Sequence, residues 1–160
     1  MGRAHCRVQT VRYNNNVGEP RPTVSNGSSP RGPAANVNDL PRVDVMIVDD
    51  DEDAREILAD LVRHAGYTAV TARDGLEAID LLGRMRPELI LLDVVMPRMD
   101  GARFRQQQRR HRDWITIPTV VMTGVADEPT LDVAVEDTLR KPISGHVLLD
   151  LVAKHATKQR

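Results

Sequence analysis

The chain has 160 residues, 41% of them hydrophobic, but only one Phe, one Trp and two Tyr, so it suits one domain of ordinary size with an aliphatic core. A net charge of −1 carries no nucleic-acid signature, so direct DNA binding is not expected. The lone Cys6 excludes an internal disulfide, and no apolar run approaches the ~18 residues of a membrane span or makes a secretory h-region, which points to the cytoplasm.

Residues 1–42 hold Asn14-Asn15-Asn16, Pro20, Pro22, Pro30, Pro33 and Pro41, with no hydrophobic periodicity. Such a segment buries too little apolar surface to offset its ordering entropy, so a disordered basic tail or linker is expected. Six arginines against Glu19 and Asp39 give this stretch +4, which leaves −5 for residues 43–160.

From Val43 the pattern turns regular, and a folded domain is expected over 43–157, with 158–160 as its end. Val43–Val48 reads as a strand running into Asp49-Asp50-Asp51. A helix follows over about 52–65, with Ile57, Leu58, Leu61, Val62 and Ala65 facing inward and Gly66 ending it. Asp51 is placed to open that helix. Tyr67–Thr71 reads as a second strand. Asp74 caps the next helix, with Glu77 as its capping-box partner and Leu76, Ile79 and Leu82 inward. Pro87 marks that helix's exit, and Leu89-Ile90-Leu91-Leu92 reads as a fully buried strand ending on Asp93. Pro97 stops the ladder, and Asp100-Gly101 turns the chain into a third helix. Pro118–Met122 reads as a fourth strand, ending in Thr123-Gly124. A short helix near 128–135 and a very short strand over Thr138–Arg140 follow. The last helix spans about 144–156, with Val147, Leu148, Leu151 and Val152 inward.

Strands alternating with helices imply a parallel sheet covered on both faces. Five such units in this length suit a three-layer α/β sandwich with the flavodoxin-like strand order 2-1-3-4-5. In that layout Asp49, Asp50, Asp93, Thr123 and Lys141 all fall at carboxyl ends of strands, on one rim. Three carboxylates gathered there need a cation, and oxygen ligands without a Cys/His cluster suit Mg²⁺. An ammonium and a hydroxyl beside them suit a phosphoryl group, with Asp93 as the carboxylate nucleophile.

Val48-Asp49-Asp50, Leu92-Asp93-Val94-Val95-Met96-Pro97 with Met99-Asp100-Gly101, Met122-Thr123-Gly124 and Lys141-Pro142 together resemble the response-regulator receiver domain of two-component signalling. The resemblance implies a five-stranded flavodoxin-like sandwich. It implies Asp93 as phosphoacceptor, with a sensor histidine kinase or histidine phosphotransfer protein as donor. It implies Mg²⁺ held by Asp50, Asp93 and the Val95 carbonyl, with Asp49 nearby, and Thr123 and Lys141 on the phosphoryl oxygens. A downstream protein of unknown identity, and in some members a homodimer, belong to the same picture. Such a protein accepts phosphate and loses it slowly; it is not a turnover enzyme. Val95 and Val125 are apolar where attacking water would pass, which should slow that loss.

The chain departs from the family in two places. Receivers carry Tyr or Phe three residues before the Lys as a switch; here Thr138 stands there. The stretch from Thr123 to Lys141 is short, so a reduced or missing helix is expected between the last two strands. A pseudo-receiver, docking partners without taking phosphate, is the alternative these departures favour. An Asp-nucleophile phosphatase would need Asp-x-Asp at the nucleophile, and Asp93-Val94-Val95 lacks it. An end at Arg160 suggests a stand-alone receiver. The third helix, taken over 101–112 with Arg103, Arg105, Arg109, Arg110 and Arg112, reads either as a solvated face or as a dock for an acidic partner.

Overall fold

Val45-Met46-Ile47-Val48 and Leu89-Ile90-Leu91-Leu92 have no polar break, so neither face of these strands can meet water. The computed structural model describes residues 39–124 and 135–157. There the two runs lie in two of the three inner strands of a five-stranded parallel sheet. The elements are β1 (Arg42–Val48), α1 (Glu52–His64), β2 (Ala69–Ala72), α2 (Gly75–Leu82), β3 (Arg86–Asp93), α3 (Gly101–Arg110), β4 (Thr119–Thr123), β5 (Asp137–Arg140) and α4 (Gly145–His155). The strand order is β2-β1-β3-β4-β5, as expected for a flavodoxin-like sandwich. Val48 lies opposite Leu92, Asp93 opposite Met122, and Thr123 opposite Arg140.

Because side chains alternate along a strand, each inner strand feeds two cores. Val45, Ile47, Leu89, Leu91, Val120, Met122 and Leu139 pack under α1 and α4. Met46, Val48, Ile90 and Leu92 pack under α2 and α3, with Ala78, Leu82 and Phe104.

The helices start where carboxylates can take orphan N–H groups. Asp51 accepts from the Ala54 N–H, Asp74 from Leu76 and Glu77, and Asp100 from Arg103. Glu77 reaches back to the Arg73 N–H at 2.9 Å, one residue earlier than a capping box requires. Gly66 follows the end of α1 with φ of 86°, which favours glycine.

Several expectations are corrected. Ile57, Leu76 and Val147 are exposed (62%, 47% and 48%), not inward. The buried arcs centre instead on Leu58, Ala59 and Val62 in α1, on Gly75, Ala78 and Leu82 in α2, and on Leu148 and Val152 in α4. Small Ala59 and Ala78 take inward places because the helices lie close on the sheet. β2 starts at Ala69, since Thr68 is committed to Asp44, whose Oδ2 accepts from the Thr68 N–H at 2.6 Å and from its hydroxyl at 2.9 Å. β3 starts at Arg86 and contains Pro87. The missing N–H is tolerated there because β4 joins β3 only from Ile90 onward, leaving one edge unpaired. β4 runs one residue later than expected, over Thr119–Thr123, and β5 one residue earlier, from Asp137.

The inward face of α3 also differs from a solvated helix. Phe104 and Gln108 are fully buried, and Arg105 is 4% exposed. Arg105 Nη1 donates to Gln108 Oε1 at 2.8 Å and to Thr119 Oγ1 at 3.2 Å, and its Nη2 lies 3.5 Å from Glu136 Oε2. Gln108 Nε2 donates to the Trp114 and Ile117 carbonyls, both at 3.1 Å. Residues 1–38, Val125, residues 128–134 of the expected short helix, and residues 158–160 lie outside the described residues. Among the described residues no helix is long and apolar enough to cross a membrane.

Candidate functional site

Parallel strands end together, and that places the rim residues. β1 runs into Asp49, whose N–H donates to the Ala72 carbonyl at 3.1 Å. β3 ends on Asp93, and the next N–H, of Val94, donates to the Met122 carbonyl at 3.3 Å. Lys141 follows β5, and its N–H donates to the Thr123 carbonyl at 2.8 Å. The Lys141–Pro142 peptide is cis. Behind Asp93 the start of α3 comes very close: a Cβ on Gly101 would stand 2.5 Å from the Asp93 carbonyl oxygen. Only glycine fits, and the Gly101 N–H closes the β3–α3 loop on the Val94 carbonyl at 3.0 Å.

On this rim the carboxylates of Asp49, Asp50 and Asp93 each offer an oxygen, all within 4.8 Å of one another. Asp49 is fully buried, Asp93 is 6% exposed and Asp50 faces solvent. Lys141 Nζ donates to Asp49 Oδ2 at 2.8 Å and to Asp93 Oδ2 at 3.0 Å. Asp49 Oδ1 accepts from the Asp51 N–H at 2.9 Å, and Arg55 Nη1 donates to the Asp49 carbonyl at 2.8 Å. Burial pushes the Asp93 carboxyl up from its ordinary value; the Lys141 hydrogen bond and charge oppose this, and the Asp49 charge adds to it. Burial alone would lower the Lys141 ammonium, but the hydrogen bonds and charges of Asp49 and Asp93 outweigh it and raise it.

Three carboxylates against one ammonium leave a formal charge of −2. The donors are all oxygen and lie within 4.8 Å of one another, near enough for one ion to draw on all three. These residues therefore fit a hard divalent cation.

Asp49, Asp50, Asp93 and Lys141 are brought together as expected. Thr123 is 4% exposed at the end of β4, with its hydroxyl donating to the Gly124 carbonyl at 3.1 Å. Val95 is 58% exposed in the loop after Asp93. Thr138 is exposed on β5, opposite Val121. Asp51 caps α1 as read from sequence. Arg55 and the ion pair of Arg98 with buried Asp74 were missed. Arg55 lies a turn inside α1, where an arginine has no sequence mark. Arg98 has φ of 64°, and an arginine gives no warning of that conformation.

The family model of the response regulator receiver domain matches residues 45–153. Response regulator MprA of Mycobacterium sp. (strain KMS) is 38% identical over 111 residues, covering 67% of this chain and 47% of that protein. The chain thus spans about half the length of the curated relatives it matches. The signal receiver domain of a signal transduction histidine kinase from Syntrophus aciditrophicus is 31% identical, with a TM-score of 0.65 over 70% of this chain and 88% of that one. A response regulator receiver protein from Pseudomonas putida is 28% identical, with a TM-score of 0.64 over 72% and 97%. The fold, the acidic rim and these matches agree: the chain belongs to the response regulator receiver domain family, whose members accept a phosphoryl group in two-component signalling.

Proposed function

We propose that Asp93 is the phosphoacceptor, that the reaction depends on Mg²⁺, and that the donor is a phosphohistidine on a sensor histidine kinase or a phosphotransfer protein. The observation that carries this reading is the Lys141 ammonium held between Asp49 and Asp93, with a carboxylate oxygen of Asp50 within 4.8 Å of one on each. A carboxylate oxygen of Asp93 forms the new P–O bond as the P–N bond to the donor imidazole breaks, and the leaving nitrogen keeps the electron pair and takes a proton. Lys141, already poised on Asp93, holds negative charge on the transferring oxygens, with the Thr123 hydroxyl as a second donor. Asp49, Asp50, Asp93 and the Val95 carbonyl would hold Mg²⁺, which when bound neutralises charge on the phosphoryl oxygens. Asp49, fixed by Asp51 and Arg55, keeps Lys141 in place between turnovers of the phosphoryl group. Output then runs through docking to a partner or relay of the phosphoryl group.

Incubation with acetyl phosphate and Mg²⁺ should add the mass of one phosphoryl group, and chelation or Asp93→Asn should abolish the adduct. A second reading, a docking module that never takes phosphate, draws on Thr138, exposed where receivers place an aromatic ring. Intact-mass spectra without an adduct in the wild-type chain would decide for it.

A further inference from the structure

α2 and α3 lie side by side over one core, and a groove of about 350 Å³ runs between them. Ile79, Met99 and Trp114 make its apolar lining; Gln107, Arg110 and His111 edge it. Leu76, 47% exposed, precedes Ile79 by three residues and so extends the apolar edge along α2. Trp114 is held in place by stacking on His111, with ring centroids 3.8 Å apart and 14° between planes.

The charge beside this groove is one-sided. The acids of α2 are matched locally, Glu77 by Arg73 and Asp80 by Arg84. On α3, Arg105 is committed inward, and Arg103, 73% exposed, pairs among the described residues with Asp100 alone, at 3.7 Å. Arg109, Arg110 and Arg112 are exposed and form no ion pair among the described residues. Residues 43–160 carry −5 in all, so this edge is a cationic strip on an anionic domain.

We propose that the α2–α3 groove docks an acidic amphipathic helix of a partner protein, apolar face on Ile79, Met99 and Trp114 and carboxylates on Arg110 and Arg103. The helices are eight and ten residues long, so the trough is about 12–15 Å, the length of two to three turns of a third helix. A thioether and an indole suit leucine side chains of varied shape. A nucleic acid fits less well, since the domain's negative charge repels a long polyanion and the Trp114 ring is already stacked on His111. The inference does not rest on the phosphoryl chemistry, because none of the groove residues belongs to the acidic rim.

Trp114 is the chain's only tryptophan, so its emission reports occupancy directly. The full chain is titrated with a helical peptide of about four turns, Leu at i, i+3 and i+7 and Glu on the flanks. Emission should shift to the blue, and the double variant Arg103→Glu/Arg110→Glu should weaken binding about tenfold, as added salt should. Arg103→Gln/Arg110→Gln, which adds no repulsion, should weaken it less, while far-UV circular dichroism and phosphoryl uptake stay unchanged in both variants. The proposal is overturned by no shift, by equal binding of a scrambled peptide or of the Glu variant, or by tighter binding of single-stranded DNA or phosphatidylserine vesicles. A concentration-dependent shift without peptide, marking self-association, also overturns it.

Discussion

A carboxyl that is 6% exposed and a lysine that is 30% exposed by side chain share one hydrogen bond at 3.0 Å, and both hold their protons to higher pH than the free groups do. Burial raises the Asp93 carboxyl, so between about pH 4 and its raised midpoint the native state holds a proton that the unfolded chain has released. Native stability from this group is therefore greatest below that window and falls as pH rises through it. Lys141 is raised too, so its contribution is full below about pH 10 and is lost as pH rises past its native midpoint. In Mg²⁺-free buffer, urea midpoints of wild type minus those of Asp93→Asn should decline as pH climbs from about 4. A flat or rising difference would contradict the direction assigned to Asp93.

Among the elements, α3 depends on polar groups that a hydrophobic pattern does not display. Gln108 uses both ends of its amide, accepting from Arg105 and Thr119 and donating to two carbonyls of the turn that leads into β4. The Arg105 guanidinium is buried beside it, and Glu136 accepts from the Thr119 N–H at 2.7 Å. α3, the entry of β4 and the approach to β5 are thereby tied together. Removing the hub leaves buried donors and acceptors unpaired, each costing about 1–3 kcal/mol. Gln108→Ala should therefore destabilise the domain by about 3 kcal/mol in urea titrations, whereas Gln107→Ala, on the groove side, should cost under about 0.5 kcal/mol.

For the whole molecule, the parallel sheet sets one rim apart from the rest. Every strand delivers its carboxyl end there, so acidic groups converge that would otherwise repel, with one ammonium between them. A cation that neutralises the rest binds the native state alone and must stabilise it. At a hundredfold excess over its dissociation constant the gain is about 2.7 kcal/mol. Thermal midpoints should rise with MgCl₂ at matched ionic strength, and Asp50→Asn, which removes a proposed ligand that is exposed and so does not open the core, should reduce the rise. An equal rise in that variant would place the ion elsewhere.

Much of this was legible in the chain alone. The strand runs 45–48 and 89–92, the helix starts at Asp51 and Asp74, the Asp100-Gly101 turn and the rim residues each announce themselves within a few neighbours. Buried parallel strands must be apolar throughout, and helix starts need oxygen acceptors, so both leave local marks. What local pattern does not carry is which side of a helix meets the sheet once small residues let it approach. Hence Ile57, Leu76 and Val147 point outward against expectation. Nor does it carry the partner of a polar side chain. Asp49 and Lys141 are 92 residues apart, and Arg105 meets Thr119, 14 residues on, only because the fold brings the start of β4 to α3. Sequence determined the strands, the turns and the chemistry available at each strand end. Tertiary structure alone decided which charges touch, because Coulomb and hydrogen-bond energies depend on distance in space, and that distance is set by the sheet's register.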